Sequence, residues 1–150
     1  MREILYRAKR KDNGEWVCGN LIYKQASVGD SILALIVCSA EWDESTGFYH
    51  LCNVHHVIPE TIGQSTGMWD KNKTTIFEGD IINFGINQRP MYVQFNEETL
   101  AWELTDVGVP ACEVNHLSNT FDLGSIQVES AYGEMFSEIV GTIYDDGGNK

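Results

Sequence analysis

The chain has 150 residues, 43% of them hydrophobic and 21% charged, which suits one soluble domain with a sizeable core. No apolar run is long enough to cross a bilayer. The formal net charge of -12 repels phosphate backbones and anionic lipid surfaces, so direct nucleic-acid binding and membrane binding are both disfavoured. The opening "MREILYR" lacks the apolar stretch and cleavage site of an export signal, so the expected location is the cytoplasm. Cys18, Cys38, Cys52 and Cys112 are accordingly expected to be reduced thiols, some of them in the core.

Short runs rich in Trp, Tyr, Phe, Ile, Val and Thr, broken by glycine, give the chain a β texture. "EILYRAK" alternates Ile4, Tyr6 and Ala8 on one face, and Asn13-Gly14 separates it from "WVCGNLIY"; together these predict a hairpin. "SILALIVC", Ser31 to Cys38, is continuously apolar and predicts a strand covered on both faces. After the turn-like "DESTG" a further strand is expected over Gly47 to Ile58. "MYVQFNEETLAWELT" predicts a hairpin in which Met91, Val93 and Phe95 oppose Leu100, Trp102 and Leu104, joined through Asn96 to Thr99. Ile139 to Asp145 is the expected closing strand, and the tail from Asp145 to Lys150 is expected to be loose. Short helices are placed around Cys112 to Leu117 and Ala131 to Ser137. The sum is a mainly β domain spanning 1–150, a small and partly open barrel or roll with long loops.

The densest stretch is "VIPETIGQSTGMWDKNKTTIFEGDII", Val57 to Ile82. Pro59, Gly63 and Gly67 shape its path, while Glu60, Thr61, Gln64, Thr66, Asp70, Glu78 and Asp80 supply polar side chains. Those seven residues are the candidate binding positions, because polar loops often carry function. They are equally suited to satisfy the backbone of a long loop, which makes the stretch a structural joint. On that reading Gly79 occupies a turn that a Cβ would strain, Asp80 accepts main-chain N–H bonds, and Phe77 and Ile81 are buried.

Three blocks of the sequence carry a resemblance: "REILYRAKRKDNGEWVCGNLI", the Val57–Ile82 stretch, and "EIVGTIYDD". In this order they resemble the YopX family of phage and prophage proteins. The resemblance implies a mainly β fold related to SH3-like barrels and a source in a phage or integrated element. It implies no reaction and supplies no catalytic residues. Two positions depart from the family pattern, which has an aromatic residue at Ser65 and Asn-Gly at Asn72-Lys73. The second departure leaves Asn72 as the expected left-handed residue of that turn.

No reaction chemistry assembles on paper. Cys52 and His55 are three apart and Cys112 and His116 four apart, a two-plus-two zinc spacing. Strand alternation sends positions 52 and 55 to opposite faces, so no metal and no cofactor are expected. The cysteines and histidines lack a nucleophile elbow, and "GQSTG" lacks the Lys-Ser/Thr of a phosphate loop. The expectation is a non-enzymatic acidic β-domain that binds a host or phage protein or associates with itself. Two alternatives are an acidic mimic of nucleic acid that blocks a host protein, and a small-molecule or enzymatic site at the 57–82 loop.

Overall fold

The computed structural model describes residues 3–25, 32–84, 89–107, 120–122 and 137–145. The described residues form two antiparallel sheets and no closed barrel, so the expectation of a mainly β, partly open domain stands. The chain divides into two compact units, 1–65 and 66–150. The two short helices expected around Cys112 and Ala131 lie outside the described residues, apart from Ser137, which is strand.

In the first unit, β1 (Tyr6–Lys9) pairs with β2 (Trp16–Gln25), setting Tyr6 against Gly19 and Lys9 against Trp16. Gly14 takes φ +74° in the connecting turn, the conformation that Asn13-Gly14 promised. The β2 strand pairs with β3 (Ile32–Asp43), which pairs with β4 (Phe48–His56). The other side of β1 takes the first residues of β5 (Gly63–Trp69), with Tyr6 against Gln64. A lone bridge joins Arg10 to Val57, so this end of the sheet bends back toward its own first strand. Ala8, Ala34, Ile36 and Val57 are buried together, with Tyr6, Val17, Leu21 and Ile62 packed on them. Gly19 is buried because a Cβ there would stand 2.4 Å from the Val37 carbonyl oxygen, leaving no room for a side chain.

In the second unit the sheet order is β10 (Thr120–Asp122), β9 (Ala101–Asp106), β8 (Arg89–Asn96), β7 (Asp80–Phe84), β11 (Ser137–Thr142). β6 (Thr75–Phe77) precedes the turn into β7. The core is Ile76, Ile82, Met91, Val93 and Leu104, with Met68, Trp102 and Ile139 against it. Each large apolar side chain buried here contributes about 1.5–3 kcal/mol.

Four expectations need correction. The stretch after Pro59 is not all loop: Pro59–Thr61 is one 3-10 turn, and Gly63–Trp69 is strand, because β1 offers it an edge to pair with. β3 is not covered on both faces: Ala34, Ile36 and Val37 are buried, but Ile32, Leu33 and Cys38 are exposed. Leu100 belongs to the turn, with φ +54° and an exposed side chain, rather than to the apolar face of β9. Ile81 is only half-buried; Ile82, on the opposite face of β7, is the core residue.

Candidate functional site

The polar residues of the 57–82 stretch are spent mainly on backbone. In the first unit the buried Thr61 hydroxyl accepts the Lys9 N–H at 2.9 Å and donates to the Ile58 carbonyl at 2.7 Å. The buried Ser65 hydroxyl accepts the Leu5 N–H at 3.1 Å. Gln64 is half-buried and Glu60 is exposed.

In the second unit the buried Thr66 hydroxyl donates to the Ile76 carbonyl and accepts the Met68 N–H. Asp70 is 2% exposed. One of its oxygens accepts the N–H groups of Asn72 and Thr74, each at 2.9 Å, and the other accepts the Ile139 N–H at 3.2 Å. Its carboxylate thus closes the β5–β6 turn and fastens it to β11. Asp80, fully buried, accepts the Phe77 N–H at 2.8 Å. Gly79 has φ +83°, and a Cβ there would lie 2.5 Å from the Tyr144 ring. Glu78 is half-buried. Four of the seven candidate residues (Thr61, Thr66, Asp70 and Asp80) therefore hold the chain path by direct side-chain to main-chain bonds.

A different feature stands out in the first unit. The β2–β3 ladder ends at Val37, yet β3 and β4 continue to Asp43 and Phe48. Beyond Cys38 they form a two-stranded ribbon. Pairing sets Trp42 against Tyr49 and Ala40 against Leu51, so these four share one face by strand alternation. The Trp42 and Tyr49 rings meet edge to face, with centroids 5.0 Å apart. Even so, Trp42 is 54% exposed, Tyr49 and Phe48 69%, and Leu51 56%. A two-stranded ribbon in water is marginal by itself, and one with an uncovered aromatic face is the usual mark of an interaction surface. Trp42 is among the large aromatics that composition offers for an interface, but the ribbon itself has no sequence signal, because nothing in the apolar pattern marks where β2 stops.

The ribbon turn is acidic. Asp43 accepts both the Ser45 hydroxyl and the Ser45 N–H, at 2.6 and 2.8 Å, and contacts the His50 ring at 3.2 Å. The Ser45 hydroxyl, its N–H, and smaller contributions from Thr46 and His50 hold this carboxyl below the usual range. Glu44 beside it is exposed. At the other end of β4 lies an open hollow of about 350 Å³, lined by Arg10, Lys11, Asp12, Val54, His55 and His56. Arg10 binds Asp12, and that hydrogen bond holds the Asp12 carboxyl below its usual range.

Of the described thiols, Cys18 and Cys38 are exposed and Cys52 is half-buried, all three free; Cys112 lies outside the described residues. Burial of the sulfur, then the neighbouring Cys38, pushes the Cys18 thiol up, away from the reactive thiolate. Among the described residues no three His, Cys, Asp or Glu side chains are grouped to hold a metal ion. Cys112 and His116, half of the zinc spacing, lie outside the described residues. Among the described residues no helix is long and apolar enough to cross a membrane.

The family model described as YopX protein matches residues 5–148. The chain belongs to the YopX family. The match runs through both compact units and takes in the joint, the ribbon and the hollow. A search of curated proteins returned no match. The two departures from the YopX pattern have structural outcomes. Ser65 is buried and pins Leu5. In the Asn72-Lys73 turn the left-handed residue is Lys73, at φ +65°, and not Asn72 as expected. Its ammonium lies 5.3 Å from the centre of the Trp69 ring, a cation–π contact that offsets part of the strain.

Proposed function

We propose that this YopX protein is a non-enzymatic binding domain, and that it engages a protein partner, another protein or a second copy of itself, through the β3–β4 ribbon. The observation that carries the reading is the uncovered face of Ala40, Trp42, Tyr49 and Leu51, with the exposed Phe48 on the opposite face of β4. Aromatic side chains of this kind supply the anchors of protein interfaces. The polar 57–82 stretch is the joint: its buried threonines and aspartates are committed to main-chain partners. Its family resemblance supports a phage or prophage source and work in the cytoplasm of the host cell. The net charge of -12 supports a protein partner over nucleic acid or membrane. The bent first unit, with its Arg10–Val57 bridge, supports kinship with SH3-like barrels.

Site-specific photo-crosslinking in producing cells tests this. A photoreactive residue at Phe48 or Leu51 is expected to give a discrete adduct; one at Glu60 or Gln64 is not. Adducts from Glu60 or Gln64 alone would move the binding site to the 57–82 stretch, and no adduct from any position would reject the ribbon.

A further inference from the structure

We propose that the partner of the ribbon is a second copy of this chain, joined antiparallel along β4 so that each acidic ribbon turn enters the other copy's cationic hollow. The inference rests on the ribbon being the binding element and adds the identity and geometry of its partner.

The first support is the open edge. β4 ends its sheet. Among the described residues, nothing pairs with its outer side from Phe48 to His55; at His56 the Lys11 N–H takes the carbonyl at 2.9 Å. The open edge therefore runs from the acidic turn to the hollow and stops there. Natural edges of this length are blunted by Lys or Pro. "FYHLCNVHH" has neither. Its irregular residue is Asn53, at φ +51°, which sits toward the hollow and leaves Phe48 to Cys52 extended.

The second support is charge. In a chain of net charge -12, Arg10 and Lys11 line one hollow beside His55 and His56, with Asp12 bonded to Arg10 and Glu15 acting on the same guanidinium. Asp43, the last residue of β3, and Glu44, in the β3–β4 turn, lie at the opposite end of the ribbon. Antiparallel pairing brings unlike ends together twice, once on each side of a two-fold axis, whereas parallel pairing would set acid on acid. Centred on His50, the pairing sets Phe48 against the partner's Cys52 and Tyr49 against the partner's Leu51. Beyond Phe48 the chain turns, and this turn, which carries Glu44, comes to the end of the partner's β4, where His56 meets Lys11. The apolar faces of the two ribbons then merge into one four-stranded face, with Tyr49 and Leu51 shielded at the seam.

Charge exchange tests the arrangement by light scattering and sedimentation. The wild-type chain is expected to show a concentration-dependent dimer of the 16.9 kDa chain, weakened by added salt. Glu44→Lys alone and Lys11→Glu alone should each weaken it roughly tenfold or more, since each reverses two contacts. An equimolar mixture of the two variants should recover assembly, because both contacts are again between opposite charges. Both side chains are exposed, and unchanged melting temperatures confirm intact folds. A monomer at about 0.5 mM, a dimer indifferent to both substitutions, or a mixture that assembles no better than either variant overturns the proposal. A monomer that still crosslinks through Phe48 to a different protein rejects the self-pairing and keeps the ribbon; a monomer with no such adduct rejects both.

Discussion

Asp70 fixes two places far apart in the chain with one carboxylate, taking the N–H groups of Asn72 and Thr74 in its own turn and of Ile139 in β11. A buried donor left without an acceptor costs about 1–3 kcal/mol. Asp70→Ala strands three donors, those of the exposed Asn72 and Thr74 and of the half-buried Ile139, and is expected to destabilise the chain by about 1–3 kcal/mol. Asp70→Asn keeps one acceptor oxygen for the local turn and should cost less. Denaturant midpoints of the two variants check the order; equal, small effects would mean the carboxylate does not hold the joint. The local half of this geometry was legible, since an Asp before Lys-Asn-Lys-Thr suits a turn that bonds its own backbone. The reach to Ile139 was not, because hydrogen bonding across 69 positions leaves no trace in spacing. Gly79 and Asp80 were legible for the same local reason. Lys73 was misplaced by one position because propensity favours Asn in the left-handed region, whereas the closing bond from the Lys73 N–H to Asp70 fixes which residue must take it.

Among the elements, β2 and β3 approach most closely at Gly19, where a Cβ would meet the Val37 carbonyl at 2.4 Å. Backbone cannot swing aside as a side chain can. Gly19→Ala is expected to cost about 1–3 kcal/mol, read as a fall in melting temperature. The ribbon should respond in the opposite way. Trp42 and Tyr49 are mostly exposed, so Trp42→Ser with Tyr49→Ser forfeits little beyond their ring contact, at most about 1.5 kcal/mol. The same double variant should lose assembly or crosslinking entirely. A large drop in melting temperature would mean the face is covered within the chain. The first hairpin and the β8–β9 hairpin were readable because alternation and turn residues agree over a short span. β5 was not: Gly63, Gly67 and its run of polar residues look like loop, and only the available edge of β1 makes them a strand. β3 was found, but its burial was overstated. A continuous apolar run does not say how far its neighbour extends.

For the whole molecule, composition settles more than any motif does. With a net charge of -12 few phosphates can be neutralised, and several of the basic side chains are already engaged: Arg7 and Lys9 lie over Trp16, and Arg10 binds Asp12. Binding to duplex DNA at about 0.15 M salt is expected to be weaker than micromolar by fluorescence anisotropy. Sub-micromolar binding would show that a local basic surface overrides the net field. The same acidity opposes casual association between copies, so any assembly must use the place where charge locally changes sign. Binding is proposed for the β3–β4 ribbon and not for the 57–82 joint. Hydrogen–deuterium exchange at low and high protein concentration tests it most directly. Amides from Phe48 to Asn53 are expected to slow as concentration rises, while the Asn72, Thr74, Phe77 and Ile139 amides are protected equally at both. Unchanged exchange along β4, with slowing confined to residues 59–80, would contradict it.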